Sequence, residues 1–85
     1  MNEEQMIVKD ALDLVAASGT TGVLKSKLLS TLRTVDGQRL SPEQESAVFS
    51  TLVGRGWIVG HVEPVWHNTR WRLTVKGSEA LSQMS

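Results

Sequence analysis

Two histidines, His61 and His67, are the only imidazoles in this 85-residue chain, and no cysteine accompanies them. A bound metal needs three or four converging ligands, and general acid–base work needs its partners within hydrogen-bond reach. A two-residue turn at His67-Asn68 would put both histidines on a hairpin but on opposite faces, so they would not converge. Gly54-Arg55-Gly56 has the composition of a phosphate-cradling loop. Such loops open a helix, however, whereas this triplet closes a helical pattern and reads as a stop. The residues therefore predict no enzyme, no metal site and no cofactor.

What remains for chemistry is recognition. Trp57, Trp66 and Trp71 stand in a chain with one other aromatic, Phe49. Trp57 and Trp71 are expected in the core at the base of the hairpin. Trp66 lies beside the turn, where a sheet has little to cover it. It either anchors a protein partner or folds back on Pro64 or Val23. The formal net charge is zero, which argues against a protein devoted to neutralising a polyanion. The distribution is uneven: Glu3, Glu4, Asp10 and Asp13 outweigh Lys9 at the start, while Lys25, Lys27, Arg33 and Arg39 outweigh Asp36 in the middle. Near the end, Arg70, Arg72 and Lys76 outweigh Glu63. Such asymmetry can orient a domain on an anionic partner, and a solvated mixed surface produces it as well.

A chain of this length holds one modest core, so residues 1–85 are expected to form a single domain. With 40% apolar and 21% charged residues the balance is that of a folding chain, not a disordered one. Without cysteine the core alone must supply stability. The acidic start and the lack of a long apolar run predict neither a secretory signal nor a membrane span, which makes the cytoplasm the expected location.

The elements follow from periodicity and caps. Asn2 and Gln5 form an amide version of the capping box, and Ile7, Val8, Ala11, Leu12, Leu14 and Val15 give a helical stripe that Ser18-Gly19 ends. Ser26 is the expected cap of a second helix, buried through Leu28, Leu29 and Leu32 and running to about Thr34, with a turn at Asp36-Gly37. Ser41-Pro42-Glu43-Gln44 combines cap, first-turn proline, dipole-matched acid and box-closing amide, so a third helix starts at Pro42. Its core stripe is Val48 and Leu52 beside Ala47, Phe49 and Val53, and Gly56 stops it. Gly54 in its last turn suggests a close backbone passage. In the hairpin, the turn at His67-Asn68 pairs Val62 with Leu73, Pro64 with Trp71 and Glu63 with Arg72, which puts Ile58, Val62, Trp71 and Leu73 on one face. Pro64 would then need an edge or a bulge. Thr74 caps a last short helix carrying Ala80, Leu81 and Met84 back onto the first.

A helix ending in Leu52-Val53-Gly54-Arg55-Gly56-Trp57-Ile58, two short alternating stretches and the closing Trp71-Arg72-Leu73-Thr74-Val75-Lys76-Gly77 resemble a winged helix-turn-helix domain over roughly residues 4 to 82. The resemblance implies an α+β winged helix: a three-helix core, a two-stranded β-hairpin wing and a short C-terminal helix, with Val23-Leu24 as a short strand pairing with the wing. It further implies a small DNA-binding protein acting in transcription, with the third helix in the major groove and the wing on backbone or minor groove. The candidate DNA contacts are Ser41, Glu43, Gln44, Ser46, Ser50 and Arg55 on the third helix, His67, Asn68, Thr69, Arg70 and Arg72 on the wing, and Lys25 and Lys27 on the second helix. Glu43 could accept from cytosine and Gln44 could read adenine. No Lys or Arg lies between Ser41 and Gly54, so the wing and Lys25 and Lys27 must carry most phosphate contacts. Few contacts per domain point to a dimer on double-stranded DNA. The alternative is a module that binds protein through Trp66 and the acidic third helix.

Overall fold

In a computed structural model, residues 2–84 are described and form a small α+β domain of four helices and one three-stranded antiparallel sheet. Met1 and Ser85, the ends of the expected domain, lie outside the described residues. The order is α1 (Glu3–Ala17), β1 (Val23–Leu24), α2 (Lys25–Thr31), α3 (Pro42–Gly54), β2 (Ile58–Val62), β3 (Thr69–Leu73) and α4 (Val75–Met84).

α1 begins with the expected reciprocal cap. The Asn2 side chain accepts from the Gln5 amide at 2.8 Å, and the Gln5 side chain accepts from the Asn2 amide at 3.0 Å. Its stripe of Ile7, Val8, Ala11, Leu12 and Val15 is buried, and Gly19, at φ 60°, supplies the left-handed exit. α3 repeats the device: Ser41 Oγ accepts from the Gln44 amide at 3.2 Å, Gln44 Oε1 accepts from the Ser41 amide at 2.9 Å, and Pro42 opens the first turn. Thr74 Oγ1 accepts from the Gly77 amide at 3.0 Å and so caps α4, whose Ala80, Leu81 and Met84 pack on the core.

α2 departs from expectation at both ends. It starts at Lys25, and Leu24, the last residue of β1, occupies the cap position without a side-chain bond. The chain leaves the sheet directly into the helix, so Ser26 falls inside the first turn instead of before it. The helix stops at Thr31, short of Thr34, because Thr34 is committed elsewhere. Its amide donates to the Gln38 carbonyl at 2.8 Å, Arg33 and Arg39 bridge as a minimal antiparallel pair, and Gly37 turns between them at φ 80°.

The core joins α1 (Ile7, Val8, Ala11, Leu12, Val15), α2 (Leu28, Leu29), Leu32 and Leu40 after it, α3 (Val48, Leu52) and the first residue of β2, Ile58. Each Leu, Ile or Val among them contributes about 1.5–3 kcal/mol when fully withdrawn from water. Around them Phe49 and Trp71 meet edge to face, with centroids 4.9 Å apart and planes at 89°. The expected core residues Ala47 and Val53 are exposed instead, since α3 buries one narrow side only.

The sheet order is β1-β3-β2. Ile58 pairs with Leu73, Gly60 with Trp71 and Val62 with Thr69, and Val23 pairs with Trp71 on the other side of β3. The expected pairing of Val62 with Leu73 is therefore displaced by four residues, and Pro64 and Glu63 have no partners in the strand. The cause is the turn. Instead of two residues at His67-Asn68, the loop runs Pro64–His67, closed by the Glu63 amide donating to the Asn68 carbonyl at 2.8 Å. The His67 amide donates back to the Glu63 carbonyl at 3.0 Å. Pro64, which lacks an N–H and has a fixed φ, suits a loop position better than a ladder. Only His67 takes a positive φ, 57°, whereas the two-residue hairpin turn best matched to strand twist needs two such residues. Because the displacement is even, parity survives: Ile58, Val62, Trp71 and Leu73 still share a face.

Candidate nucleic-acid interface

α3 turns Val48 and Leu52 inward and leaves Ser41, Glu43, Ser46 and Ser50 exposed, with Ala47 among them. Positions 43, 46, 47 and 50 fall on one stripe of the helix, and all are small except Glu43. The stripe can approach another surface closely but brings no positive charge. Gln44 is half-buried, and its carbonyl oxygen is occupied by the Ser41 amide, so it cannot offer both amide atoms to adenine while the cap is closed. Its neighbours include acids from the start of α1: Glu3, Glu4, Ile7, Gln44, Ala47 and Val48 line one cleft between α1 and α3. Glu3 also accepts from the Val35 amide at 3.3 Å, which ties the start of α1 to the turn before α3. The acidic pole thus lies beside the third helix.

Lys25 and Lys27 are exposed on the first turn of α2. Lys25 Nζ sits 4.4 Å from the centroid of Phe49, placing one ammonium against α3. Such a contact contributes about 0.5–1 kcal/mol at an exposed site. Arg55 follows the last turn of α3, with its guanidinium 5.9 Å over the Trp57 ring. Arg33 and Arg39 are further exposed cations, and the bridge that brings them side by side is what the helix-periodic reading missed. Thr34 and Gln38 flanking Asp36-Gly37 were the available signal for that miniature hairpin.

The hairpin residues divide. His67 and Asn68 are exposed in the loop, so no strand face can be assigned to His67, and His61 faces Arg70 across the ladder. Thr69 is half-buried. A Cβ on Gly60 would lie 2.9 Å from its Cγ2 and 3.2 Å from the Trp71 ring, so the glycine makes room for the tryptophan. Arg70 is not the free phosphate contact expected of it. Arg70 Nε meets Glu63 Oε1 at 3.0 Å, and its Nη1 donates to the Gly22 carbonyl at 3.3 Å. Nε and Oε1 are both shielded from solvent and engage in no hydrogen bond, so their approach is a charge contact off the N–H direction. Glu63 thus partners Arg70, not Arg72. The half-buried Arg72 lines a shallow cleft with Val15, Gly19, Thr20 and Val59.

Trp66 does not fold back: it is 74% exposed, beside Val65 at 73%. Trp57 and Trp71 are half-buried and pack on the core, as expected. Among the described residues no group of three or more His, Asp or Glu side chains is placed to hold a metal ion, and no helix is long and apolar enough to cross a membrane. Comparison with protein families, with curated proteins and with solved structures finds no match to this chain.

Proposed function

We propose that this chain is a winged-helix domain that binds double-stranded DNA without catalysing a reaction, and that it serves in transcription. The observation carrying the reading is the open side of α3. Glu43, Ser46, Ala47 and Ser50 form a low, polar stripe, with Lys25 held against the same helix and the β2–β3 hairpin following it in the chain. Small side chains let a helix sit deep in a major groove, and the hairpin is then the wing. Supporting this, β1 adds to β3 on the side away from β2.

The interface is electrostatically lean. Lys25, Lys27 and Arg55 are its exposed cations, since Glu63 holds Arg70 and since Glu3 and Glu4 flank Gln44. Three phosphate contacts predict a slope of log K against log salt of about −3, weak for a duplex binder. Titrating random duplex DNA at two salt concentrations tests this. Replacing Lys25 and Lys27 together by Ala should flatten the slope by about 2. Absence of binding in low salt overturns the reading.

A second reading has its own observation. Val62, Val65 and Trp66 are exposed together around the hairpin loop, an apolar tip that suits a protein partner better than phosphate. If the chain fails to bind DNA, the domain is a winged-helix interaction module.

A further inference from the structure

We propose that the outer edge of β2 pairs with β2 of a second copy of this chain, antiparallel about Gly60, so that one continuous sheet crosses a two-fold axis. The inference stands on the sheet alone and holds whether or not the domain binds DNA.

Two backbone hydrogen bonds set which groups face outward. Thr74 donates to the Trp57 carbonyl at 3.0 Å and Glu63 donates to the Asn68 carbonyl at 2.8 Å. Trp57 and Glu63, and by alternation Val59 and His61, turn their backbone groups toward β3. Ile58, Gly60 and Val62 turn theirs the other way, and β2 is the last strand on that side of the sheet. An edge of this kind is ordinarily guarded by a lysine, a proline, an inward charge or a bulge. Ile58–Val62 reads Ile-Val-Gly-His-Val and carries none of these, and its ladder with β3 is uninterrupted. The opposite edge of the sheet, β1, is guarded by being two residues long.

The occupant follows from symmetry and charge. The outward residues are spaced evenly about Gly60, so a two-fold axis there sets Gly60 on Gly60 and Ile58 on Val62, forming about six backbone hydrogen bonds. Val59, exposed at 51%, meets His61 of the other copy. With no charge from Ile58 to Val62 and a chain of zero net charge, nothing repels the second copy. Continuing the register sets Glu63, already against Arg70, beside Trp57 of the other copy, whose ring is overlain by Arg55, so the acid lies between two bases. The loop carrying Val65 and Trp66 is carried toward the hairpin base of the second copy, which covers part of the apolar tip. An isologous contact closes on itself and stops at two.

Two variants act on the outer edge alone. Val62→Pro removes an N–H that the β3 ladder does not use, and Val62→Lys installs the missing guard. Sedimentation equilibrium from micromolar to millimolar protein should give twice the chain mass for the wild type at the upper end and once the chain mass for both variants throughout. Amide exchange at Gly60 and Val62 should slow in the wild type as concentration rises. A wild type that stays monomeric, or a dimer that survives both substitutions, overturns the proposal. If Val62→Pro does not fold, Val62→Lys and the two wild-type amides decide, and concentration-independent exchange at those amides overturns it equally.

Discussion

Gly77 has no room for a side chain. A Cβ there would collide with the Trp57 carbonyl oxygen and come within 2.8 Å of Leu73 Cδ1. Backbone cannot move aside as a flexible side chain can, so Gly77→Ala should destabilise by about 1–3 kcal/mol in urea unfolding despite alanine's helix propensity. An unchanged midpoint would mean that α4 does not press on the start of β2. Gly54 gives the opposite expectation. It is helical with nothing within 4 Å of an added Cβ, so the close passage suggested by its position in the sequence is absent. Gly54→Ala should therefore stabilise by about 0.5–1 kcal/mol, and a loss would reveal a hidden contact. Trp66, at 74% exposure, should tolerate Ala with a change within about 0.5 kcal/mol. A loss of about 3–5 kcal/mol, the cost of truncating a buried aromatic, would restore the fold-back reading.

At the scale of elements, the hairpin separates what the sequence could specify from what it could not. Alternation fixed the face of every strand residue, because parity is carried by which side chains are apolar and Trp71 must reach Phe49. The pairing register depended on the loop, and there several turns compete within a fraction of the folding energy. Pro64, Asn68 and a positive φ at His67 selected the longer one. The same division appears elsewhere. The caps at Asn2 and Ser41 were legible because each is a local exchange of two hydrogen bonds. The end of α2 was not, because Thr34 is recruited by Gln38 from across a turn. The ion pairing around the candidate site was not legible, since Glu63 reached Arg70 only through the displaced register. A double-mutant cycle on Glu63 and Arg70 should give a coupling of about 0.5–1 kcal/mol, discounted because both side chains remain a quarter to a third exposed. The same cycle on Glu63 and Arg72 should give none. Coupling to Arg72 instead would return the hairpin to the two-residue turn.

On the scale of the whole molecule, one core has to hold elements drawn from the entire chain. α1 packs against α2, α3, α4 and β3, and Leu12 and Leu52, both at 0% exposure, sit where these layers meet. A domain of this size has a stability of about 4–13 kcal/mol, and Leu52→Ala should remove about 2–5 kcal/mol of it by leaving a cavity that α1 and α3 cannot close. Because α1 rests on β3 as well as on the other helices, the helices should not outlast the sheet. In the Trp66→Phe background the remaining tryptophans, Trp57 and Trp71, report the packing of the sheet on the core, while far-ultraviolet circular dichroism reports mainly the helices. The two signals should shift to the same lower midpoint in Leu52→Ala. Should the helical signal persist after the tryptophans are exposed, α1, α2 and α3 would be a stable unit on their own and the hairpin an appendage. In that event Ile58 would not bind the sheet to the core as its burial indicates.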